Sequence, residues 1–260
     1  MNMKKIFKLV LLNLILVSNL LSSKIIVGAS PVPHAEIINF IKPDLQKAGY
    51  DVKIVEFNDY VIPNYALEND EIHFNFTIGL PYMKEFNREK GTHMVAVAGV
   101  HIEPLGVYSK KIKSLNELKN RAKVTIPNDV STETRALRLL EKAGLLKLDK
   151  ADAEFVTVLD ILENPKNLEI ITLEPASVPR SLDDTDIAVI NANFALSANL
   201  SPKNDSLFLE DKDSPYLNVL IVKEGNENLQ STKDFVKIIT SDKVREFIES
   251  KYDGSIIPAF

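Results

Sequence analysis

The stretch Gly28-Ala-Ser-Pro-Val-Pro-His-Ala-Glu-Ile37 marks a point where a strand gives way to a helix. Ile25, Ile26 and Val27 precede it as an apolar strand, and small residues and prolines then lead into the helix. Such a turn brings backbone N–H groups and a helix N-terminus to one point, at the strand end where open α/β sheets bind ligands. The stretch therefore predicts either an ordinary strand-to-helix loop or part of a ligand site.

Residues 1–23 have the pattern of an export signal. Lys4 and Lys5 precede an apolar run from 6 to 21, which is too short and too interrupted by polar residues to span a membrane. We expect this segment to be removed and the protein to be periplasmic. The sequence contains zero Cys, so we also expect no lipid anchor, no disulfide and no thiolate catalysis.

Composition restricts the class of protein. The formal net charge is −5, and 45% of the 260 residues are hydrophobic. An acidic chain is a poor partner for nucleic acid or anionic lipid. A chain of this length can bury a large core and, given ordinary domain sizes of about 100–150 residues, is expected to form two lobes.

The order of the elements predicts an α/β fold. In the first half, helices are expected over 35–47, with Pro43 as a kink or break, from Pro63, and over 81–91, between strands at 51–57 and 72–77. The run 94–108 is expected to be two strands, or one strand crossing between lobes. Alternating helix and strand implies parallel sheets with right-handed crossovers.

A second series follows the first crossing. Strands are expected at 124–127, 153–158, 168–173 and 187–190, with a helix that ends at Gly144. We interpret 216–222 as the return crossing and expect helices near 229–240 and 242–251. The pattern predicts a two-lobed, type II-like periplasmic binding protein, with lobe 1 at 24–105 plus 206–260 and lobe 2 at 106–205.

Several long motifs carry a resemblance that covers almost all of 24–260: VGASPVPHAEI, HIEPLGVYSKKIKSL, IPND followed by RAL, ENPKNL, PRSLDD, AVINANFAL, and EDKDSPYLNV with a final IIPAF. In these motifs the chain resembles the NlpA/MetQ-type family of methionine-binding lipoproteins. The resemblance implies a monomeric substrate-binding protein that captures an amino acid between its lobes. It further implies delivery to an ABC permease with its ATPase.

Arg135 is the leading candidate for a ligand contact. It lies in the first turns of a helix that Asn128, Asp129 and Ser131 could cap, where a cation opposes the helix dipole. A guanidinium there could grip a carboxylate with two parallel hydrogen bonds, or it could be a surface salt-bridge residue. The family resemblance implies the carboxylate clamp, and it leaves Asp129 as a cap.

Two asparagines and two tyrosines are further candidates. Asn191 directly follows an apolar strand and Asn218 interrupts one, so each amide needs a hydrogen-bond partner in the backbone or in a ligand. Tyr60 and Tyr82, taken alone, fit a core role as well as a ligand role. The resemblance implies that all four contact the bound amino acid.

Three positions depart from the family. Methionine binders usually read N-Y-F-Q-H-I-P-Y where this chain has Asn75-Phe-Thr-Ile-Gly-Leu-Pro-Tyr82, so Thr77 replaces a Phe and Gly79 replaces a His. Thr132 likewise replaces an Asn. We expect a wider pocket, suited to another amino acid, a dipeptide or another carboxylate compound, unless Phe74 or Tyr65 repacks into the gap.

Other classes of function have little support. None of the four histidines is in an H-E-x-x-H motif, and neither G-x-S-x-G nor a phosphate-binding glycine loop is present. His101 and Glu103 form a close pair, which we interpret as structural. We therefore expect no enzyme activity, no metal and no cofactor. A surface interaction protein stays an alternative without a positive sequence feature.

Overall fold

The computed structural model of the protein describes residues 22–149 and 153–260. The predicted signal therefore lies outside the described residues except for Ser22 and Ser23, and Ser23 already begins the first strand. Within the described ranges, no helix has both the length and the apolar character needed to cross a membrane.

The first sheet has six strands: β1 (Ser23–Ala29), β2 (Tyr50–Glu56), β3 (Phe74–Phe76), β4 (Met94–Ile102), β12 (Leu217–Lys223) and β13 (Ile257–Pro258). Their order in the sheet is β13-β4-β12-β3-β1-β2. β1 runs parallel to β2 and β3, whereas β12 is antiparallel to both β3 and β4.

The second sheet has five strands: β5 (Gly106–Tyr108), β6 (Lys123–Pro127), β9 (Glu169–Leu173), β10 (Ile187–Ile190) and β11 (Phe208–Leu209). Their order in the sheet is β11-β5-β10-β6-β9. β6 is parallel to β9 and β10, and β5 is antiparallel to β10 and β11. A separate two-stranded ladder joins β7 (Lys147–Leu148) to β8 (Ile161–Glu163).

Helices cover both faces of each sheet. The first sheet has α1 (Glu36–Lys47), α7 (Gln230–Ile239) and α8 (Asp242–Tyr252) on one face and α2 (Ile62–Glu68) and α3 (Leu80–Lys90) on the other. The second sheet packs against α4 (Val130–Lys142) on one face. Its other face packs against the 3-10 segment Pro175–Asp183 and α5 (Ala192–Ser197), which α6 (Pro202–Asp205) follows.

Amphipathic spacing explains the helices. Ile37, Ile38, Ile41 and Leu45 of α1 are all fully buried, as the helical period requires. α1 continues through Pro43 to Lys47, so the alternative of a break at this proline is wrong. The apolar contacts on both sides of the proline hold the last turn in the core.

The chain crosses between the sheets twice. β4 ends at Ile102 in the first sheet and β5 begins at Gly106 in the second, which confirms the first crossing as two strands. The return crossing lies at 210–216, so its predicted position at 216–222 is wrong. The apolar run after it is β12, a strand buried on both faces between β4 and β3. Because β11 pairs with β5, residues 208–209 belong to the second sheet rather than to the predicted lobe 1.

Two further strand predictions differ from the structure. The expected strand at 153–158 is absent: the described residues there form loop and then the turn Val158–Asp160, where Thr157 and Asp160 form a capping box that ends extended structure. β3 is shorter than the expected 72–77. Asn75 of β3 and Thr77, which directly follows it, are as buried as the phenylalanines of β3, since α2 and α3 cover the second face.

Candidate functional site

A cavity of about 480 Å³, counting its mouth, lies between the two lobes. All eight residues that the sequence predicts as ligand contacts line it: Tyr60, Thr77, Gly79, Tyr82, Thr132, Arg135, Asn191 and Asn218. Among the described residues of the opening stretch 28–37, none lines the cavity.

The topology explains this convergence. Thr77 follows β3, the N-terminal turns of α4 follow β6, and Asn191 follows β10, so each comes from the carboxyl end of a strand. Parallel strands direct their carboxyl ends to one edge of a sheet, where ligands bind in α/β folds. The two lobes present these edges to each other, and Asn218 on β12 completes the lining.

Arg135 is buried and forms an ion pair with Glu210. Its Nε donates to both carboxylate oxygens of Glu210, at 3.0 and 3.1 Å, and Nη2 donates to Glu210 Oε2 as well as to the carbonyl oxygen of Glu103 at 2.6 Å. The Tyr216 ring lies 4.4 Å below the guanidinium carbon. Within the described chain Nη1 of Arg135 makes no hydrogen bond. A ligand carboxylate could therefore accept a hydrogen bond from Nη1, but not the two parallel hydrogen bonds from an unpaired guanidinium that the sequence suggests.

Asp129 caps α4, as predicted. Its Oδ1 accepts from the backbone N of Thr132 at 2.9 Å and from the Thr132 hydroxyl at 2.6 Å. Burial raises the pKa of Asp129, while its hydrogen bonds to Thr132 act against that shift. The Thr132 hydroxyl thus already donates its hydrogen bond to Asp129, and it can only accept a hydrogen bond from a group in the cavity.

The two asparagines meet the cavity in different ways. Asn191 Oδ1 is buried and has no hydrogen-bond partner among the described residues. Asn218 Oδ1 lies 3.3 Å from Nε2 of His34. Neither amide oxygen therefore bonds to the backbone, which the sequence left open as the commoner alternative. A buried acceptor without a partner is costly unless a ligand supplies the donor.

Aromatic rings form one wall. The Tyr60 hydroxyl donates to Asn193 Oδ1 at 2.7 Å, and its ring lies 5.7 Å from that of Tyr82 and 5.2 Å from that of Phe194. Burial raises the pKa of both tyrosines, so they stay neutral phenols. Since Tyr60 belongs to the first lobe and Asn193 to the second, this bond spans the cleft.

Two of the positions that depart from the family, Thr77 and Gly79, follow β3 and line the cavity. The Thr77 hydroxyl donates to Asn75 Oδ1 at 2.7 Å. A Cβ added at Gly79 would come no closer than 3.5 Å to any other atom, the nearest being the carbonyl oxygen of Leu217. A methyl group at Gly79 would therefore make ordinary van der Waals contacts, and Gly79 itself lines the cavity.

Glu103, at the first crossing, is the centre of a buried polar cluster that also lines the cavity. Its Oε1 accepts from His101 Nε2 at 2.8 Å and lies 3.3 Å from His34 Nε2, and its Oε2 accepts from the backbone N of Asn193 at 3.1 Å. Burial lowers the pKa of His34 to about 4 and that of His101 to about 3, so both imidazoles are neutral at pH 7.

His34, His101 and Glu103 are also the residues that could hold a metal ion. One ligand atom of each lies within 4.8 Å of the other two. In this arrangement both Nε2 atoms already hydrogen-bond to protein oxygens.

Sequence reasoning missed six lining residues: Ile78, Pro81, Glu103, Ser131, Ala192 and Tyr216. Tyr216 precedes Asn218 by two positions, so strand alternation could have placed it on the same side. Glu103 is an acid in an apolar crossing segment, the same signal that singled out Asn218. The sequence alone indicates Glu103 only as a structural partner of His101.

Comparison with known proteins places this site in a family context. A family model described as NlpA lipoprotein matches residues 25–260. The D-methionine-binding lipoprotein MetQ of Escherichia coli (strain K12) is 42% identical over 235 residues, which cover 90% of this chain and 86% of the relative.

Two solved structures extend the comparison. A nutrient binding protein from Burkholderia cenocepacia bound to methionine is 41% identical with a TM-score of 0.88, covering 91% of this chain and 100% of that one. An ABC transporter periplasmic substrate-binding protein from Coxiella burnetii is 38% identical with a TM-score of 0.86, covering 90% and 100%. These likenesses confirm the predicted fold of two α/β lobes.

Proposed function

Because this chain belongs to the NlpA lipoprotein family, we propose that it is the substrate-binding protein of an ABC importer. It captures methionine or a similar amino acid in the cleft and delivers it to a permease with its ATPase. Relatives named as methionine-binding or as ABC transporter substrate-binding proteins support this function. We propose that the protein binds its ligand without chemical turnover.

The observation that carries the proposal is the meeting of both lobes around one buried cation. Arg135 and Asn191 come from the second lobe, and Thr77, Gly79 and Asn218 come from the first. A ligand that contacts all of them makes its contacts only when the lobes are together. This is how binding proteins couple capture to closure.

The export pattern of residues 1–23 supports a periplasmic location. Lipidation is a separate matter, because the matched family and the Escherichia coli relative are named lipoproteins. The comparisons therefore do not support our expectation of an unlipidated protein. That expectation rests only on the absence of cysteine from the sequence.

A second candidate is a binder of a larger ligand, such as a dipeptide or another carboxylate compound. Gly79 favours it, since this lining position carries no side chain although a Cβ there would make only ordinary contacts. The carboxylate end of the cleft would act in the same way for both candidates. The difference lies only at the side-chain end.

Calorimetric titration with a panel of amino acids and dipeptides tests the proposal, together with Arg135→Ala. We expect saturable binding to the parent protein and a loss of about 2–5 kcal/mol in the variant, the cost of removing one partner of a buried charged contact. Arg138→Ala is the matched control, because Arg138 lies on the same helix and does not line the cavity.

Arg135→Ala also leaves Glu210 without its cation, so thermal denaturation must show that the variant is folded at the titration temperature. Arg135→Lys, which keeps the charge but cannot reproduce the fork, should bind with intermediate affinity. An Arg135→Ala protein that binds as tightly as the parent would rule out this site. Recovery of a chemically altered ligand would point to an enzyme instead.

A further inference from the structure

We propose that Arg88 and Phe155 form a clasp across the rim of the cleft and that this clasp slows the release of the ligand without touching it. Arg88 belongs to α3 in the first lobe, and Phe155 belongs to the segment 153–158 in the second. Neither residue lines the cavity. The inference rests on the proposed function and deepens it, because it adds two positioning residues outside the ligand site.

The first lobe fixes Arg88 within its own helix. Nη2 of Arg88 donates to Glu85 Oε1 at 2.7 Å and lies 2.6 Å from Oε2, one turn earlier on α3. Glu85 is buried, with 8% of its surface exposed, so it anchors the guanidinium. An arginine that is ordered in advance loses less side-chain entropy when it meets a partner. α3 also begins at the cavity, where Pro81 and Tyr82 line it.

The second lobe fixes the segment 153–158 against α4. The Thr134 hydroxyl donates to the backbone oxygen of Val156 at 3.0 Å and accepts from the backbone N of Val156 at 2.9 Å. Glu133 Oε1 accepts from the backbone N of Val158 at 3.0 Å. Both side chains belong to α4, so the segment moves with this helix.

α4 therefore connects the rim to the ligand site. Its residues Thr132 and Arg135 line the cavity, whereas the neighbouring Glu133 and Thr134 hold the segment that carries Phe155. α3 and α4 also contact each other across the cleft. A movement that brings α4 toward a ligand thus brings Phe155 toward α3 as well.

The contact itself is a cation over an aromatic ring. The guanidinium carbon of Arg88 lies 5.1 Å from the centre of the Phe155 ring, within the range of a favourable cation–π contact. Arg88 Nη1 also lies 3.7 Å from Glu154 Oε2, but these two side chains are 59% and 77% exposed, so the ion pair adds little. The contact with the ring therefore carries the clasp.

The clasp joins elements that separate when the cleft opens. The covalent links between the lobes are the crossings after β4 and at 210–216. Neither crossing joins α3 to the segment 153–158, so their contact depends on the closed arrangement of the lobes. A contact that is made only in the closed form favours that form and leaves the open form unchanged. Since bound ligand leaves through the open form, the clasp lowers the rate of release rather than the rate of association.

Calorimetry and stopped-flow release kinetics with L-methionine on the full-length protein test the clasp. Arg88→Ala should raise Kd about two- to fivefold, the fold-change that corresponds to an exposed cation–π contact. The increase should come from faster release, at the association rate of the parent. Phe155→Ala should have the same effect. Because both variants remove one shared contact, the double variant should lose no more than either single variant.

Arg245→Ala is the matched control, because it removes the same kind of contact within one lobe. The guanidinium carbon of Arg245 lies 4.7 Å from the centre of the Phe260 ring, and both residues belong to the first lobe. This variant should leave Kd and the release rate unchanged. Arg88→Lys, which keeps a cation near the ring, should lose less than Arg88→Ala. A purely structural role of Arg88 would lower the midpoint of thermal denaturation and leave the release rate of the folded molecules unchanged.

Each remaining outcome decides the matter. An unchanged release rate in Arg88→Ala or in Phe155→Ala would overturn the clasp, while the proposed capture function stands. Losses that add in the double variant would show that the two residues act separately, which would also overturn it. The tightest compound of the amino-acid and dipeptide panel replaces L-methionine if L-methionine does not bind. If no compound of the panel binds the parent protein, the proposed function fails and this inference falls with it.

Discussion

Gly79 is the residue through which the cleft can change its ligand. Its backbone has φ −85° and ψ 160°, extended values that any residue adopts, so the position does not need glycine for conformational reasons. A Cβ would make only ordinary contact with Leu217. The backbone turn therefore does not require glycine at this position.

Phe74 and Tyr65, the aromatic side chains that could repack toward Thr77 and Gly79, do not enter the cavity. Phe74 is buried and packs against Phe235, with ring centroids 4.6 Å apart. Tyr65 is 41% exposed and packs against Phe86 at 5.4 Å. Neither lines the cavity. The repacking that would restore a methionine pocket is therefore not the arrangement in this structure.

We predict that L-methionine is not the tightest ligand. Resemblance implies that a Phe and a His hold the thioether in methionine binders, and burying an aromatic face is worth roughly 1.5–3 kcal/mol. The double variant Thr77→Phe with Gly79→His should then gain methionine affinity by a factor of about ten to a few hundred. Calorimetry with the amino-acid and dipeptide panel measures both statements.

Gly79→Ala serves as the control, since it adds a methyl group without a ring and should change methionine affinity little. The prediction is wrong if methionine ranks first in the panel for the unmodified protein. It is also wrong if the double variant folds normally and binds methionine no better than the parent.

At the scale of elements, hydrophobic periodicity and helix-ending glycines predict the individual helices. The four apolar residues of α1 and the stop at Gly49, which has φ +93°, define that helix from the sequence. α3 likewise ends before Gly91, at φ +67°. The sequence pattern fails at β12, because an apolar run cannot distinguish a crossing from a central strand that both faces of a sheet bury.

The site shows the same division. A helix start, a strand end and a polar interruption single out Arg135, Asn191 and Asn218. The partner of Arg135 is Glu210, 75 residues away, and its position depends on the return crossing. The surroundings of Glu103 likewise depend on the fold, because the turn after β1 brings His34 Nε2 to 3.3 Å from its carboxylate. Such long-range contacts have no local signature, so the motifs could indicate the site but not its charge balance.

The buried histidines of β4 and of the turn after β1 predict a dependence of stability on pH. Burial lowers the pKa of His34 from 6.5 to about 4 and that of His101 from 6.5 to about 3, so the unfolded chain takes up protons near pH 6.5 that the folded protein does not. The free energy of unfolding therefore falls as pH drops below 6.5. Glu103, whose pKa burial raises, opposes this trend near its own titration.

Thermal denaturation between pH 7 and pH 5 measures this dependence. We expect the midpoint temperature to fall with pH, and His101→Gln to flatten the curve because it removes one titrating group. Equal slopes for His101→Gln and the parent would show that His101 does not titrate in this way.

At the scale of the whole molecule, the lobes are joined by two crossings and held together by contacts across the cleft. The Tyr60–Asn193 hydrogen bond is one such contact. Arg88 of α3 is another, since it lies 3.7 Å from Glu154 and its guanidinium carbon lies 5.1 Å from the centre of the Phe155 ring. Further contacts join the lobes, since Lys203 Nζ donates to Asp253 and the hydroxyls of Ser201 and Ser255 lie 3.4 Å apart. The charged contacts among them are partly exposed, so each contributes little to holding a closed form. The lobe boundaries of 24–105 plus 206–260 and 106–205 remain a proposal, with 208–209 moved to the second lobe by strand pairing.

We predict that the ligand-free protein opens and that ligand closes it about a hinge at 103–105 and 210–216. Closure requires a ligand that binds the closed form more tightly than the open one, and the lining residues of the two lobes supply that difference only when they are together. Small-angle scattering should show a smaller radius of gyration at saturating ligand. Arg135→Ala should stay open at the same ligand concentration, whereas Arg138→Ala should close as the parent does. A radius of gyration that ligand leaves unchanged in the parent would mean that the cleft binds without moving, and the hinge would then be only a covalent link between the lobes.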